Sequence, residues 1–441
     1  MNSISVFGIG KLGFPLIACL AHKGFKVIGY DINHLTVNSV NERKPTMYET
    51  GLEELIQKPS DMSASSDSDY VIKNTDITFI IVPTPSLTNG SFDTKYVESA
   101  SKIIASAIKD KSSYHLISIT STVLPSNTET RIKTVLEKES GKKCGKDFGL
   151  CYNPEFIALG SVIHDIFNPD VVLIGEYDNK SGDILSEVYQ KLCDNNPPIV
   201  RTTIYNAELA KISLNAFITM KISFANMLAE LCEKIPGGDA RAVSKILGCD
   251  TRIGSKYISG AIAYGGTCFP RDNRAFAYVA SKLGNNARLA IATDKENNYQ
   301  NRRIVDLVED ILGEVKDKRI AILGLTYKPE TEVTEESASI KIAGYLRDKG
   351  ATLSLYDPMG MRNARITLGG DSIYYAVNTI DCIKEADICI VATAWNQFKD
   401  IKPYEFTNNM KTAIILDCWR LYDKPEYKNN IQYYAIGKEM R

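Results

Sequence analysis

The chain has only four histidines in 441 residues, and its ten cysteines, at 19, 144, 151, 193, 232, 249, 268, 382, 389 and 418, include no C-x-x-C pair. No histidine stands at metal-ligand spacing from them, so neither a metal site nor a disulfide framework is expected and the thiols read as reduced. Net charge is missing too. At −1 overall the protein has no global field to draw it to nucleic acid or to an anionic membrane, so an anionic ligand must be met by local Lys, Arg and backbone N–H groups. No uncharged apolar run reaches about 18 residues, and no basic-then-apolar segment of signal type follows Met1. These absences predict a cytoplasmic protein without metal, nucleic acid or membrane as partner.

What is present is ordinary for a globular chain, 44% hydrophobic and 24% charged, and long enough for two or three domains of roughly 150 residues. The apolar run 4–7 is followed at once by Gly8-Ile9-Gly10-Lys11-Leu12-Gly13, then by apolar residues at helical spacing over 14–22, then by the run 26–30 ending in Asp31. Strand, glycine turn, helix and strand make the βαβ unit that holds a dinucleotide. Gly8 permits the bend, Gly10 lets backbone approach a pyrophosphate, and Gly13 lets helix and strand pack closely. Asp31 is placed to accept from ribose hydroxyls, and no Arg or Lys occurs at 32–36 to welcome a 2′-phosphate, so NAD is favoured over NADP. Further apolar runs at 77–82, 116–119 and 171–174 predict buried parallel strands, so the first ~200 residues read as one doubly wound domain.

Between 206 and 234 there is neither proline nor glycine, and apolar residues recur at helical spacing from Leu209 to Leu231. The pattern predicts one helix of about 29 residues, roughly 43 Å long, able to join two domains or two subunits. Pro236-Gly237-Gly238 ends it. After residue 318 the opening pattern returns, with a strand at 319–323, Gly324, a turn containing Lys328-Pro329, a helix from about 336 and a strand at 351–356 ending in Asp357. Strands at 388–392 and 413–416 complete a smaller sheet. Its turn lacks G-x-G-x-x-G, so a ligand other than a dinucleotide is expected. The predicted fold class is α/β, two Rossmann-like doubly wound domains joined by a long central helix, with boundaries at 1–203, 204–312 and 313–441.

Two constellations carry chemistry. Cys268 sits in Tyr264-Gly265-Gly266-Thr267-Cys268-Phe269-Pro270-Arg271-Asp272, a glycine-loosened thiol four residues before a carboxylate. Beside a dinucleotide turn, such a thiol suggests oxidation through a thioester. Lys211 and Asn215, four apart on the long helix, share a face and together can stabilise an oxyanion.

These motifs, with Val82-Pro83-Thr84-Pro85, Ser121-Thr122-Val123, Asn153-Pro154-Glu155-Phe156, Glu208-Leu209-Ala210-Lys211 and Gly324-Leu325-Thr326-Tyr327-Lys328, give the chain a full-length resemblance to the UDP-glucose/GDP-mannose 6-dehydrogenase family. The resemblance implies an NAD-binding domain, a central helical dimerisation region and a C-terminal nucleotide-sugar domain. It also implies a four-electron oxidation of a sugar C6 alcohol to a carboxylate, with Cys268, Lys211, Asn215, Asp272, Glu155 and Thr122 as catalytic residues. NAD contacts are implied at Gly8, Gly10, Lys11, Leu12, Gly13, Asp31, Pro83, Thr84 and Thr122. Substrate contacts are implied at Glu155, Phe156, Lys211, Asn215, Arg252, Tyr257, Gly265, Lys328 and Arg420, with Arg252 supplied to the neighbouring subunit of a homodimer. Thr267 before the cysteine, where the N-acetylhexosaminuronate branch has histidine, points to the UDP-glucose branch, as does Arg252-Ile253-Gly254. One position departs: Leu159 stands where the family commonly has a second acid. GDP-mannose as substrate, a two-electron hydroxyacid-type dehydrogenase and a catalytically silent binding protein stay open as alternatives.

Overall fold

Short apolar runs bounded by turns become strands buried on both faces. In the computed structural model, which describes residues 3–45, 47–370 and 372–440, the chain divides into two units, Met1–Ser213 and Leu214–Arg441. The first holds a sheet of eight strands: β1 (Ser3–Phe7), β2 (Lys26–Tyr30), β3 (Met62–Ser65), β4 (Ile77–Ile80), β5 (His115–Ile119), β6 (Phe148–Tyr152), β7 (Val172–Glu176) and β8 (Ile199–Thr203). Their order is β3-β2-β1-β4-β5-β6-β7-β8. Helices cover both faces, so Val6, Ile77, Phe79 and Leu116 join one core layer and Phe7, Ile80, Ile117 and Ile119 the other. The neighbours β1 and β4 lie where the strand order reverses, which opens a crevice at the carboxyl ends of the strands.

One expected direction is corrected. The run near 171–174 was expected to be parallel, but β7 pairs antiparallel with β6, through Cys151–Glu176 and Tyr152–Gly175. The link 153–171 carries one six-residue helix, Val162–Phe167, packed against the helix Gly13–His22. An apolar run carries no direction, so its sequence does not distinguish the two. β8 then follows β7 in parallel after the helix Asn179–Leu192.

The second unit contains six parallel strands, β9 (Arg319–Leu323), β10 (Thr352–Tyr356), β11 (Ile373–Tyr375), β12 (Ile388–Val391), β13 (Ile414–Asp417) and β14 (Gln432–Ala435), in the order β11-β10-β9-β12-β13-β14. The run at 413–416 is therefore not the last strand; β14, half-polar at the sheet edge, follows it. The repeat of the first sheet extends to atoms. Gly8 N donates to the Tyr30 carbonyl at 2.9 Å and Gly324 N to the Tyr356 carbonyl at 2.8 Å, while Ile9 N and Leu325 N donate to Asp31 and Asp357 at 2.9 and 2.7 Å. The two acids then differ. Asp357 is buried and also accepts from Thr326 N, Trp395 Nε1, Met359 N and Gly360 N. A carboxylate so engaged has little left for ribose hydroxyls.

The long helix spans Ile204–Lys234, and it buries polar side chains beside small and branched apolar ones while leaving large apolar ones exposed. Glu208, Lys211, Asn215, Thr219, Ser223, Asn226 and Glu233 are buried, whereas Leu209, Leu214, Phe217, Phe224, Met227 and Leu231 are exposed. Spacings of three, four and seven put the polar set on one stripe and the exposed residues from Leu214 to Leu231 on another. By length and composition this helix could cross a membrane, alone among the described residues. Its buried ionisable side chains are hydrogen-bonded within the protein instead.

Candidate active site

In the first unit the glycine turn opens onto a pocket of about 650 Å³ whose lining includes Gly8, Gly10, Lys11, Leu12, Asp31 and Pro83. Gly8 has φ +101°, and a Cβ there would lie 2.1 Å from the Ile81 carbonyl oxygen; a Cβ on Gly13 would lie 1.9 Å from that of Gly8. Side chains are excluded at both. Gly10 is different, because a Cβ there meets nothing within 4 Å and would project into free space beside the turn. Its bareness leaves room for a ligand's approach, and the helix Gly13–His22 begins directly behind it, so backbone N–H groups and the positive end of the helix dipole favour a pyrophosphate. On the pocket wall Asp31 accepts from Ile9 N and Asn33 N, both at 2.9 Å, which orients its carboxylate. These residues fit NAD.

Sequence reasoning did not single out Tyr30, which stacks on Phe7 with ring centroids 4.3 Å apart, nor Thr36, Tyr96 and Ile103, which complete the lining. No local motif marks them; only the meeting of helices above the sheet does. Thr84 and Thr122 lie on the loops after β4 and β5, and Ser121 Oγ ties these loops together at 2.8 Å from both Val82 N and Val82 O.

The loops after β5 and β6 are fastened to the first turns of the long helix. Glu208 accepts from Ser126 N at 2.6 Å and Thr128 N at 2.8 Å, and burial pushes its carboxyl up to about 7. Ser126 holds φ +80°, a left-handed conformation that a serine keeps only when its surroundings enforce it. One turn on, Lys211 Nζ donates to the Glu155 carbonyl at 2.6 Å and sits 4.9 Å from the Phe156 ring centroid. The Glu155 carboxyl is raised from its usual range by burial. Leu159 packs against the core, and its loop is held by the buried Glu49, whose two oxygens accept from Gly160 N and Val162 N at 2.9 Å.

In the second unit Cys268 is exposed and immediately precedes the helix Phe269–Lys282. Negative charge on its sulfur, or on an oxygen beside it, therefore faces the positive end of that helix. Asp272, one turn on, is fully buried; Asn215 Nδ2 donates to its Oδ2 at 2.7 Å and Arg271 Nε to its Oδ1 at 3.0 Å. The glycines ahead of the thiol are required by close approach, since a Cβ on Gly265 would lie 2.4 Å from the Glu336 carbonyl oxygen and one on Gly266 2.7 Å from the Tyr327 ring. Lys328 Nζ lies 5.9 Å from that ring's centroid. Cys268, Asp272, Asn215 and Gly265 are thus assembled, and the Gly324 turn reaches them through Tyr327.

Three residues stand apart. Arg252 is exposed and pairs with Asp250 at 2.6 Å, and Tyr257 is exposed with φ +64°. Arg420 is buried between Asp239 and Asp423, each within 2.6 Å. Its charge is spent on two carboxylates, which does not support the diphosphate contact expected of it.

The known proteins that this chain matches decide the family. Models of the NAD binding domain, central domain and UDP binding domain of the UDP-glucose/GDP-mannose dehydrogenase family match residues 2–193, 205–299 and 321–424. The chain belongs to that family. It is 34% identical to a UDP-glucose 6-dehydrogenase of Haloferax volcanii, covering 96% of this chain and 98% of that one. A GDP-mannose 6-dehydrogenase of Pseudomonas savastanoi pv. phaseolicola is 35% identical over 80% of each chain. The solved UDP-glucose dehydrogenase of the archaeon Pyrobaculum islandicum superposes with a TM-score of 0.91 at 32% identity, covering 99% of this chain and 98% of that one. As a member of the UDP-glucose/GDP-mannose dehydrogenase family, the protein is an NAD-dependent oxidoreductase acting on a nucleotide sugar.

Proposed function

We propose that the protein oxidises UDP-glucose to UDP-glucuronate, through a thioester on Cys268. The observation that carries the reading is the arrangement of Cys268 at a helix start one turn before Asp272, whose buried carboxylate is hydrogen-bonded to Asn215. The UDP-glucose 6-dehydrogenases among the relatives, matched end to end, favour UDP-glucose over GDP-mannose, whose relative is matched over 80% of the chain. NAD, when bound, would supply hydride acceptance, one hydride to each of two molecules held in turn. Asp272, with Lys211, accepts the C6 hydroxyl proton through water in the first oxidation. Cys268 adds as thiolate to the resulting aldehyde carbon, and loss of the second hydride leaves a thioester whose oxyanion-forming oxygen is served by Lys211 and Asn215. Glu155 takes a proton from the attacking water, with Thr122 positioning that water; the C–S bond breaks and Cys268 leaves as thiolate.

In this reading residues 1–203 bind NAD, 204–312 form a central helical region, 313–441 bind the nucleotide, and the protein works in the cytoplasm, where thiols stay reduced. A panel of sugar nucleotides tests the substrate: two NADH per UDP-glucose are expected, and a single NADH, or turnover of GDP-mannose alone, would contradict it.

The exposed apolar stripe on the long helix supports a homodimer, because a stripe of that length favours a partner over water. Arg252 is assigned to the partner's site. Mixing equal parts of Arg252→Ala and Cys268→Ser protein should then restore roughly a quarter of wild-type activity, since about half the dimers are mixed and each has one intact site. No recovery in the mixture rejects the trans assignment.

A further inference from the structure

Glu208 opens the motif that contains Lys211, yet the mechanism above gives it no task. It is fully buried on the first turns of the long helix, and both of its carboxylate oxygens are engaged: Oε2 accepts from Ser126 N at 2.6 Å and Oε1 from Thr128 N at 2.8 Å. Those two N–H groups stand where the chain leaves the loop after β5 and winds into a π-helical turn, Thr128–Ile132. On the far side of the same residue the Ser126 carbonyl accepts from Thr130 N at 2.9 Å and Thr130 Oγ1 at 2.7 Å. Ser126 is thereby held at φ +80° from both sides.

Thr122 lies between two fastenings. Ahead of it Ser121 Oγ is tied to the loop after β4, and beyond it Glu208 ties Ser126 to the long helix. One turn further along that helix, Lys211 Nζ donates to the Glu155 carbonyl. A single helical turn therefore grips two loops, the one that carries Thr122 and the one that carries Glu155, and fixes each against the other.

We propose that Glu208 is a positioning residue for thioester hydrolysis, setting Thr122 at the distance from Glu155 at which one water molecule meets both. The inference rests on the roles given above to Thr122 and Glu155. A carboxylate suits the task because it offers acceptors to two backbone N–H groups at once, whereas an amide of the same shape offers one and sets its NH2 against the second N–H. Losing one contact leaves an N–H without its acceptor and lets Ser126 relax out of the left-handed region, and Thr122, a few residues back, moves with it. In the step itself the water oxygen bonds to the thioester carbon, its proton passes to Glu155 and the C–S bond breaks; Glu208 exchanges no proton.

The test uses the full-length enzyme with NAD and UDP-glucose, at a pH well above the value of about 7 to which burial raises the Glu208 carboxyl, so that wild-type Glu208 is ionised. Single turnovers at saturating NAD report the burst of two NADH, and mass spectrometry of the intact protein reports the decay of the thioester. Glu208→Gln should keep the burst and the UDP-glucose KM within about twofold and slow hydrolysis about ten- to a hundredfold, the scale of a misplacement of about 1 Å. Glu208→Asp keeps the charge but withdraws it by one methylene, and should slow hydrolysis about threefold or more. Whichever variant folds carries the test. Unchanged hydrolysis, or a burst and KM impaired as much as hydrolysis, overturns the inference. A double-mutant cycle with Thr122→Ala shows whether Glu208 acts through Thr122: in that background the Glu208 substitution should slow hydrolysis by less than about twofold further, and factors that multiply overturn the proposal. Wild-type hydrolysis in Thr122→Ala alone sinks the reading of Thr122, whereas a slowed Thr122→Ala beside an unslowed Glu208→Gln sinks only the role of Glu208.

Discussion

Full-length protein carrying Cys268→Ser is expected to form no measurable UDP-glucuronate, a fall of more than about a thousandfold, while NAD and UDP-glucose affinities stay within about twofold. Cys268 is exposed, with Thr267 Oγ1 at 3.5 Å from its sulfur, so serine replaces it with little disturbance to packing. A hydroxyl ionises far less readily than a thiol and forms an ester, not a thioester, so the second oxidation loses its nucleophile. The first does not. Asp272 and its hydrogen bond from Asn215 are untouched, and one NADH per sugar, with aldehyde, is the expected residue of activity. Uronate formed at more than a few per cent of the wild-type rate by the variant would remove the thioester from the mechanism.

The second large effect is expected at Glu155. Glu155→Gln should release two NADH in a single rapid turnover and then stall, with steady-state kcat lower by about a hundredfold or more, because an amide cannot accept the water proton. The substitution is conservative for a structural reason. An amide oxygen at the Oε1 position still accepts from the Tyr189 hydroxyl, so the contact at 2.7 Å is kept. Mass spectrometry of the intact protein should find the sugar nucleotide attached at Cys268. Normal turnover would assign the hydrolytic base elsewhere. In the same background as the native acid, Leu159→Glu asks what the family's missing carboxylate did: faster hydrolysis means a lost helper, whereas a changed sugar preference at constant hydrolysis means that Leu159 shapes the substrate pocket.

The elements that act locally were legible before any coordinates. The turn at Gly8, the acid at Asp31 and the helix from Gly13 follow from backbone geometry within a few residues, and the structure has them in place. The return of the same pattern at Gly324 and Asp357 was legible as well, since the repeat is one of spacing. Strands β3, β8 and β14 were not, because Met62–Ser65, Ile199–Thr203 and Gln432–Ala435 are short and half-polar and gain their hydrogen bonds from neighbours far away in the chain; β6 and β11 were missed as well. Propensity says little where pairing decides.

The long helix shows the same division from another side. Its length is written in the absence of proline and glycine between 206 and 234, and so is its apolar periodicity, but not which face is buried. Only packing decided that Glu208, Lys211 and Asn215 face inward and Phe217 and Phe224 outward, because burying a polar side chain is favourable only where a partner completes its hydrogen bonds. For Glu208 those partners are Ser126 and Thr128, for Asn215 Asp272. Arg420, which the resemblance implies as a substrate contact, is paired here with Asp239, which lies 181 positions away in the chain. The sequence by itself determined the turns, the repeat and the residue types the chemistry needs, since these depend on near neighbours and covalent geometry. The tertiary structure alone decided strand directions, the buried face of the long helix, and which side chains meet, as Tyr189 meets Asn153 and Glu155, because those depend on groups that only folding brings within 3 Å.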